Sequence, residues 1–164
     1  MVKKWIIWFV LIFPFKGFAQ INNAEFKKVL DGMYRHTVPL ITVDSLKNLK
    51  SIYVLDTREI NEFDVSHLKN ARNVGYIWFD MRSIYDIPKE ATVVLYCSVG
   101  YRSEKIGEKL LKYGYQNVYN LYGSIFEWAN QGNPVYKSNG IQTSEIHSYN
   151  KKWAKWIEKG TKVN

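Results

Sequence analysis

The stretch Thr92–Tyr96 (TVVLY) constrains this chain more than any other. It is apolar on both of its alternating faces and runs straight into the only cysteine, Cys97. A strand of that kind must be covered from both sides, as inside a parallel sheet flanked by helices. Ser51–Leu55 (SIYVL) and Asn117–Leu121 also read as strands, and Pro39–Val43 and Ala71–Val74 as short extended segments. Helical signals alternate with them. Asn23 caps a helix over 24–33 carrying Phe26, Val29, Leu30 and Met33, and Asp44 caps a second carrying Leu46 and Leu49. Arg58–Phe63 forms one turn, and a helix from about Arg102 carries Ile106, Leu110, Leu111 and Tyr113 as far as Gly114. Ser124 caps a short helix through Ile125, Trp128 and Ala129, and 75–82 reads only as a connection. This alternation predicts an α/β domain with a mainly parallel sheet. Such sheets bind ligands at the carboxyl ends of their strands, and Cys97 stands at that end of the clearest strand.

The loop Cys97-Ser98-Val99-Gly100-Tyr101-Arg102-Ser103 lies between this strand and a helix. A tight turn there aims several backbone N–H groups at one point in front of a helix N-terminus, an arrangement that favours negative charge. Gly100 supplies the backbone freedom the turn needs, and Arg102 adds a fixed positive charge. A cysteine in such surroundings loses its proton readily, and the thiolate is the nucleophile. The same amides would stabilise a terminal sulfur anion after transfer. The plainer alternative is a small core residue that ends a buried strand. The glycine, arginine and helix that follow Cys97 weigh against it.

Here the sequence resembles the rhodanese family. Cys-x-x-Gly-x-Arg-Ser between a strand and a helix is similar to the active loop of rhodanese domains. Leu55-Asp56-Thr57-Arg58-Glu59 resembles the family's Asp-x-Arg-Glu signature. Glu62-Phe63, His67 and Ala71-Arg72-Asn73-Val74 resemble the segment that usually reads Gly-His-Ile-x-Gly-Ala-x-Asn-Ile, with Ser66 and Asn70 in place of its two glycines. Leu121-Tyr122-Gly123-Ser124, Trp128, Gly132, Pro134 and Val135 resemble the closing Gly-Gly, Trp, Gly-x-Pro-Val pattern. Together these cover about residues 40–136 in the expected order. The resemblance implies a rhodanese fold, a five-stranded and mostly parallel sheet flanked by helices. It also implies transfer of sulfane sulfur from a donor such as thiosulfate to a thiophilic acceptor through a Cys97 persulfide.

On this reading Cys97, Arg102 and Asp56 are the catalytic residues, and Ser98, Val99, Gly100, Tyr101 and Ser103 form the substrate-binding loop. Asp56 is expected to fix the loop through its amides or through Arg102. Arg58 and Glu62, four apart, are expected to pair on one helical turn, and His67 to make structural hydrogen bonds. Neither a metal nor a cofactor is called for. A cysteine phosphatase sharing the fold would need five residues between Cys and Arg, whereas four separate Cys97 from Arg102, a smaller cradle suited to a single sulfur atom. A non-enzymatic module for partner binding, sulfur carriage or redox sensing is the other alternative; Cys97 argues against an inactive domain and leaves the carrier and sensor roles open.

The ends of the chain read differently. Lys3 and Lys4, the apolar run Trp5–Phe13 and Gly17-Phe18-Ala19 have the layout of a secretory signal peptide over 1–19, with cleavage before Gln20 and a periplasmic or secreted destination. Without those residues the chain holds 20 basic and 15 acidic side chains, a net charge of +5. The lysines are scattered, so nucleic-acid binding is a poor fit. The domain is expected over 20–137, followed by a helical extension over 138–164. In that extension Ser144 caps a helix with Ile146, Tyr149, Trp153, Trp156 and Ile157 on one face, docked on the domain or offered to a partner protein or membrane surface. The expected small partners are a sulfur donor and a thiol or cyanide acceptor.

Overall fold

The computed structural model describes residues 21–164, so the expected signal segment and its cleavage point lie outside the described residues. Asn23 accepts the Phe26 N–H and opens α1 (Ala24–Met33), as its side chain predicts. Next come β1 (Leu40–Ile41), α2 (Val43–Asn48), β2 (Ile52–Asp56), α3 (Ile60–Val65) and β3 (Arg72–Asn73). A 3-10 turn over Met81–Ile84 precedes β4 (Thr92–Tyr96), α4 (Tyr101–Lys112), β5 (Asn117–Leu121) and α5 (Ser124–Asn130). Thr42 rather than Asp44 caps α2: its side chain accepts the Ser45 N–H, and the helix starts two residues earlier than expected.

The sheet has five strands in the order β1-β5-β4-β2-β3, and all its pairings are parallel. β4 is central, and its side chains alternate between two cores. Val94 and Tyr96 pack with Phe26 and Leu30 of α1, Val43 and Leu46 of α2, and Ile125 and Phe126 of α5. Val93 and Leu95 pack with Ile106 and Leu110 of α4 and with Met81, Ile84 and Ile87. A strand apolar on both faces is thus covered on both, which places the end of β4 in the middle of the molecule. Asn70 occupies the left-handed region at φ 60°, a conformation Asn tolerates, whereas Ser66 is extended at φ −171° and needs no glycine.

The C-terminal extension corrects the expectation of one helix. It holds β7 (Gln142–Thr143), which pairs antiparallel with β6 (Val135–Tyr136) at the end of the domain, then β8 (Glu145–His147), α6 (Lys151–Ala154) and β9 (Thr161–Val163), which pairs parallel with β8. Ile146 therefore sits in a strand. Tyr149 takes the left-handed conformation at φ 64°, and Asn150 starts a new helix by accepting the Trp153 N–H. The expected stripe is broken between Ile146 and Trp153. Its apolar members still reach the core, because Ile146, Trp156 and Ile157 are buried and Trp156 stacks on Phe26 at 5.3 Å. They are therefore not free to face a membrane or a partner as an amphipathic helix. Trp128, by contrast, is only half-buried, with its indole N–H given to the Pro134 carbonyl.

Trp156→Ala should lower stability by about 3–5 kcal/mol in chemical denaturation, the usual range for removing a buried Trp. A chain ending at Lys137 should melt below the full chain, and equal melting temperatures would show that the extension adds nothing to the core.

Candidate active site

Cys97 follows the last residue of β4, and its side chain is buried. The chain then turns sharply at Gly100, whose φ of 107° is open to glycine and whose missing Cβ would lie 2.0 Å from the Tyr34 hydroxyl. No other residue fits there. The turn swings the backbone so that the Gly100 N–H donates to Cys97 Sγ at 3.0 Å. Burial pushes the thiol up, but the Arg102 charge and the N–H groups of Ser103, Gly100 and Val99 outweigh it and hold the thiol below its ordinary value. The strand, loop and helix expected from the sequence therefore converge on the sulfur with groups that favour its anion.

The loop carbonyls face the other way, and each has a partner. Cys97 O and Ser98 O accept the N–H groups of Ile125 and Phe126, both at 3.2 Å, from the first turn of α5. Val99 O accepts the Tyr34 hydroxyl at 2.5 Å, and Gly100 O accepts the Asn120 side-chain amide at 3.0 Å. Ser103 reaches the same Asn120 through its hydroxyl, and Ser124 Oγ accepts the Cys97 N–H. Val99, Gly100 and Ser103 thus shape the loop through backbone and buried contacts, while Tyr101 is exposed beside the thiol.

Arg102 lies at the start of α4, but its guanidinium reaches across to α3. It forms a two-pronged pair with Glu62, Nη1 to Oε2 at 2.6 Å and Nη2 to Oε1 at 2.7 Å, and Nη2 also donates to Ser98 Oγ at 3.0 Å. Burial raises the Glu62 carboxyl, but the hydrogen bonds and charge of Arg102 more than offset that and hold it ionised below its usual range. The capping box of α3, in which Glu62 accepts the Glu59 N–H, holds the same carboxylate from its own helix.

Two expectations change here. Asp56 does not touch the loop amides or Arg102. It is fully buried and holds Arg58, also fully buried, with Nη2 to Oδ2 at 2.6 Å and Nε to Oδ1 at 3.0 Å. Arg58 then gives Nη2 to the Ser66 carbonyl. Asp56 is thus a structural residue that ties β2 to the turn before His67, because the chain reverses toward Arg58 directly after the strand. Glu62 accordingly pairs with Arg102 and not with Arg58. His67 has the expected structural role, stacked on Phe63 at 3.8 Å and bridged to Tyr136 through the backbone. Tyr34 and Asn120 escaped the sequence reading, and Ser124 was expected as the cap of α5, whereas Gly123 takes that position and Ser124 is the first helical residue, its hydroxyl turned to the Cys97 N–H. Gly123 and Ser124 both take positive φ in the turn that presents this hydroxyl.

Above Cys97 lies a cavity of about 200 Å³ walled by Val99, Tyr101 and Arg102 of the loop and by Met33, Tyr149 and Trp153 from the two ends of the chain. Among the described residues no cluster of His, Cys, Asp and Glu has the makings of a metal site.

The sequence profile of the rhodanese-like domain matches residues 42–131. The chain is 26% identical over 94 residues to an adenylyltransferase and sulfurtransferase, uba4, of Ogataea parapolymorpha, a match covering 57% of this chain and 24% of that protein. It is 36% identical over 90 residues to a tRNA uridine(34) hydroxylase of Hamiltonella defensa, covering 52% of this chain and 25% of the relative. The chain thus spans about a quarter of the length of these two relatives. A rhodanese-related protein of Thermoplasma volcanium superposes with a TM-score of 0.52 at 28% identity, over 59% of this chain and 96% of that one.

Asp56→Asn should cost about 3–5 kcal/mol in stability by leaving Arg58 buried without its counter-charge. Arg102→Gln should move the midpoint of thiolate formation, followed by ultraviolet absorbance against pH, to higher pH. Losing the positive charge raises the thiol, and the Glu62 charge left without its partner raises it further, so both changes act in one direction.

Proposed function

Because this chain belongs to the rhodanese-like domain family, we propose that it is a sulfurtransferase that carries sulfane sulfur as a persulfide on Cys97. The observation that supports this most is the cradle of backbone N–H groups around Cys97 Sγ, with Gly100 N at 3.0 Å, backed by Arg102. In the first half-reaction the thiolate attacks the sulfane sulfur of a donor such as thiosulfate. A new S–S bond forms, the donor's S–S bond breaks, and its electron pair leaves on sulfite. In the second, a thiolate or cyanide attacks the terminal sulfur, and the electron pair of the Cys97 S–S bond returns to Sγ. No outside oxidant or reductant is consumed. The chain has no second cysteine, so the acceptor comes from outside and the kinetics are ping-pong. The signal-like segment adds export to the proposal.

A phosphatase is a poorer reading. The loop holds four residues between Cys97 and Arg102, and both terminal nitrogens of that arginine are engaged by Glu62. A carrier or redox sensor shares the loop chemistry but does not turn over.

Incubation with thiosulfate or another sulfane donor should add one sulfur to the intact mass, and cyanide or a thiol should remove it. Cys97→Ser should lose both steps while keeping the fold. Retained turnover in that variant, or no sulfur uptake from any donor tested, would sink the assignment. Sulfur uptake without repeated turnover would favour the carrier reading.

A further inference from the structure

The roof of the Cys97 cavity comes from segments that lie outside residues 42–131. Met33 ends α1, and Tyr149 and Trp153 belong to the C-terminal extension. The roof is built in rather than laid on. Trp153 packs on the core, and its carbonyl accepts the N–H of buried Trp156 at 3.0 Å. Tyr149 gives its own N–H to His147 Nδ1 and lies with its ring 5.1 Å from the Arg102 guanidinium. With Val99 and Tyr101 these side chains make the cavity apolar and largely aromatic.

Its charge is equally informative. Among the described residues Arg102 is the only cation in the lining, and Glu62 pairs with it through both terminal nitrogens. Burial pushes the imidazole of nearby His147 below its ordinary value, against the pull of Glu62, so it adds no positive charge at neutral pH. As a pair Arg102 and Glu62 carry no net charge, so among the described residues of the lining the thiolate is the net charge facing an incoming donor. A dianion such as thiosulfate meets no surplus cation there and must give up its hydration against aromatic walls. An apolar group gains from the same walls. A dry apolar cavity of about 150 Å³ accepts a benzene ring, and this one measures about 200 Å³.

We propose that the donor is a small organic persulfide, RS–SH, whose R group is apolar, and that Trp153 and Tyr149 select it by seating that group above Cys97. The proposal rests on the sulfurtransferase reading. In the step, the Cys97 thiolate attacks the outer sulfur of RS–SH and an S–S bond forms between them. The donor's S–S bond breaks, RS⁻ departs with the electron pair, and the proton stays with the new persulfide or passes to the thiolate that leaves.

The test compares benzenethiosulfonate with methanethiosulfonate, two stable monoanionic donors that transfer the same sulfur, release a sulfinate and differ in the apolar group. For the full chain, kcat/KM should favour the benzene compound at least about tenfold, since seating an aromatic side group out of water is worth more than one decade. Thiosulfate should be the poorest of the three. The benzene-to-methane ratio should fall to within about threefold in Trp153→Ala and in Tyr149→Asn, the latter chosen because Asn tolerates the left-handed backbone at 149. A ratio near one in the unmodified chain overturns the proposal and leaves the sulfurtransferase reading standing. So does a preference for thiosulfate. A large ratio that survives both substitutions shows that the roof does not select. Failure of all three donors to sulfurate Cys97 removes the underlying reading itself.

Discussion

The four carbonyls of residues 97–100 all point away from the sulfur, and each is captured by a fixed donor. This constraint organises the molecule. A peptide plane whose oxygen is pinned outward has its neighbouring N–H groups turned inward, so the cradle around Sγ results from partners that never touch it. Two of those donors are the otherwise unpaired N–H groups at the start of α5, which makes the helix and the loop satisfy each other. A third is Tyr34, whose hydroxyl also accepts the Gly123 N–H at 3.1 Å and so joins α1, the loop and the entry to α5 in one contact. The contact is tight enough to exclude any side chain at position 100.

Two buried ion pairs lie close in sequence and do different work. Asp56 and Arg58 are sealed from water and hold the turn after β2. That pair specifies geometry more than it adds stability, because desolvating both charges costs about as much as their attraction returns. Glu62 and Arg102 lie at the edge of the cavity, where the arginine must stay charged to lower the Cys97 thiol. The carboxylate fixes the guanidinium in place and also offsets part of its charge. The loop amides are neutral donors that no such pairing diminishes, and they supply the remaining stabilisation of the anion.

The sequence made the sheet legible because a strand apolar on both faces admits few environments. It made the loop legible because Cys97, Gly100, Arg102 and the helix after them are local. What it hid was long-range. The partner of Arg102 is 40 residues away, and the pair that seemed natural, Arg58 with Glu62 at helical spacing, loses to Asp56, which lies two residues from Arg58. Asp56 was misplaced for the same reason, since a carboxylate after a strand reads as a loop anchor unless a buried arginine beside it claims it first. In the extension, Ile146, Trp153, Trp156 and Ile157 have a helical period, yet a strand, a helix and the turn after that helix share them. Periodicity reported correctly that most of these residues are buried and wrongly that one helix buries them. Asn150 and the left-handed Tyr149 were the local signs of a break.

The two ends of the chain divide their labour within single turns. In α6 and the residues after it, Trp156 and Ile157 are buried against Phe26 and the main core while Trp153, one turn earlier, faces the cavity. At the end of α1, Met33 lines the cavity and Tyr34, its neighbour, braces the loop. Anchoring and lining residues are adjacent in both cases, so the walls of the cavity are only as mobile as the core beneath them. The nucleophile and its amides belong to the stretch that matches the family, whereas the aromatic roof belongs to segments outside it. A change in the roof can therefore alter which molecule reaches Cys97 while the thiolate beneath keeps the amides and the arginine that stabilise it.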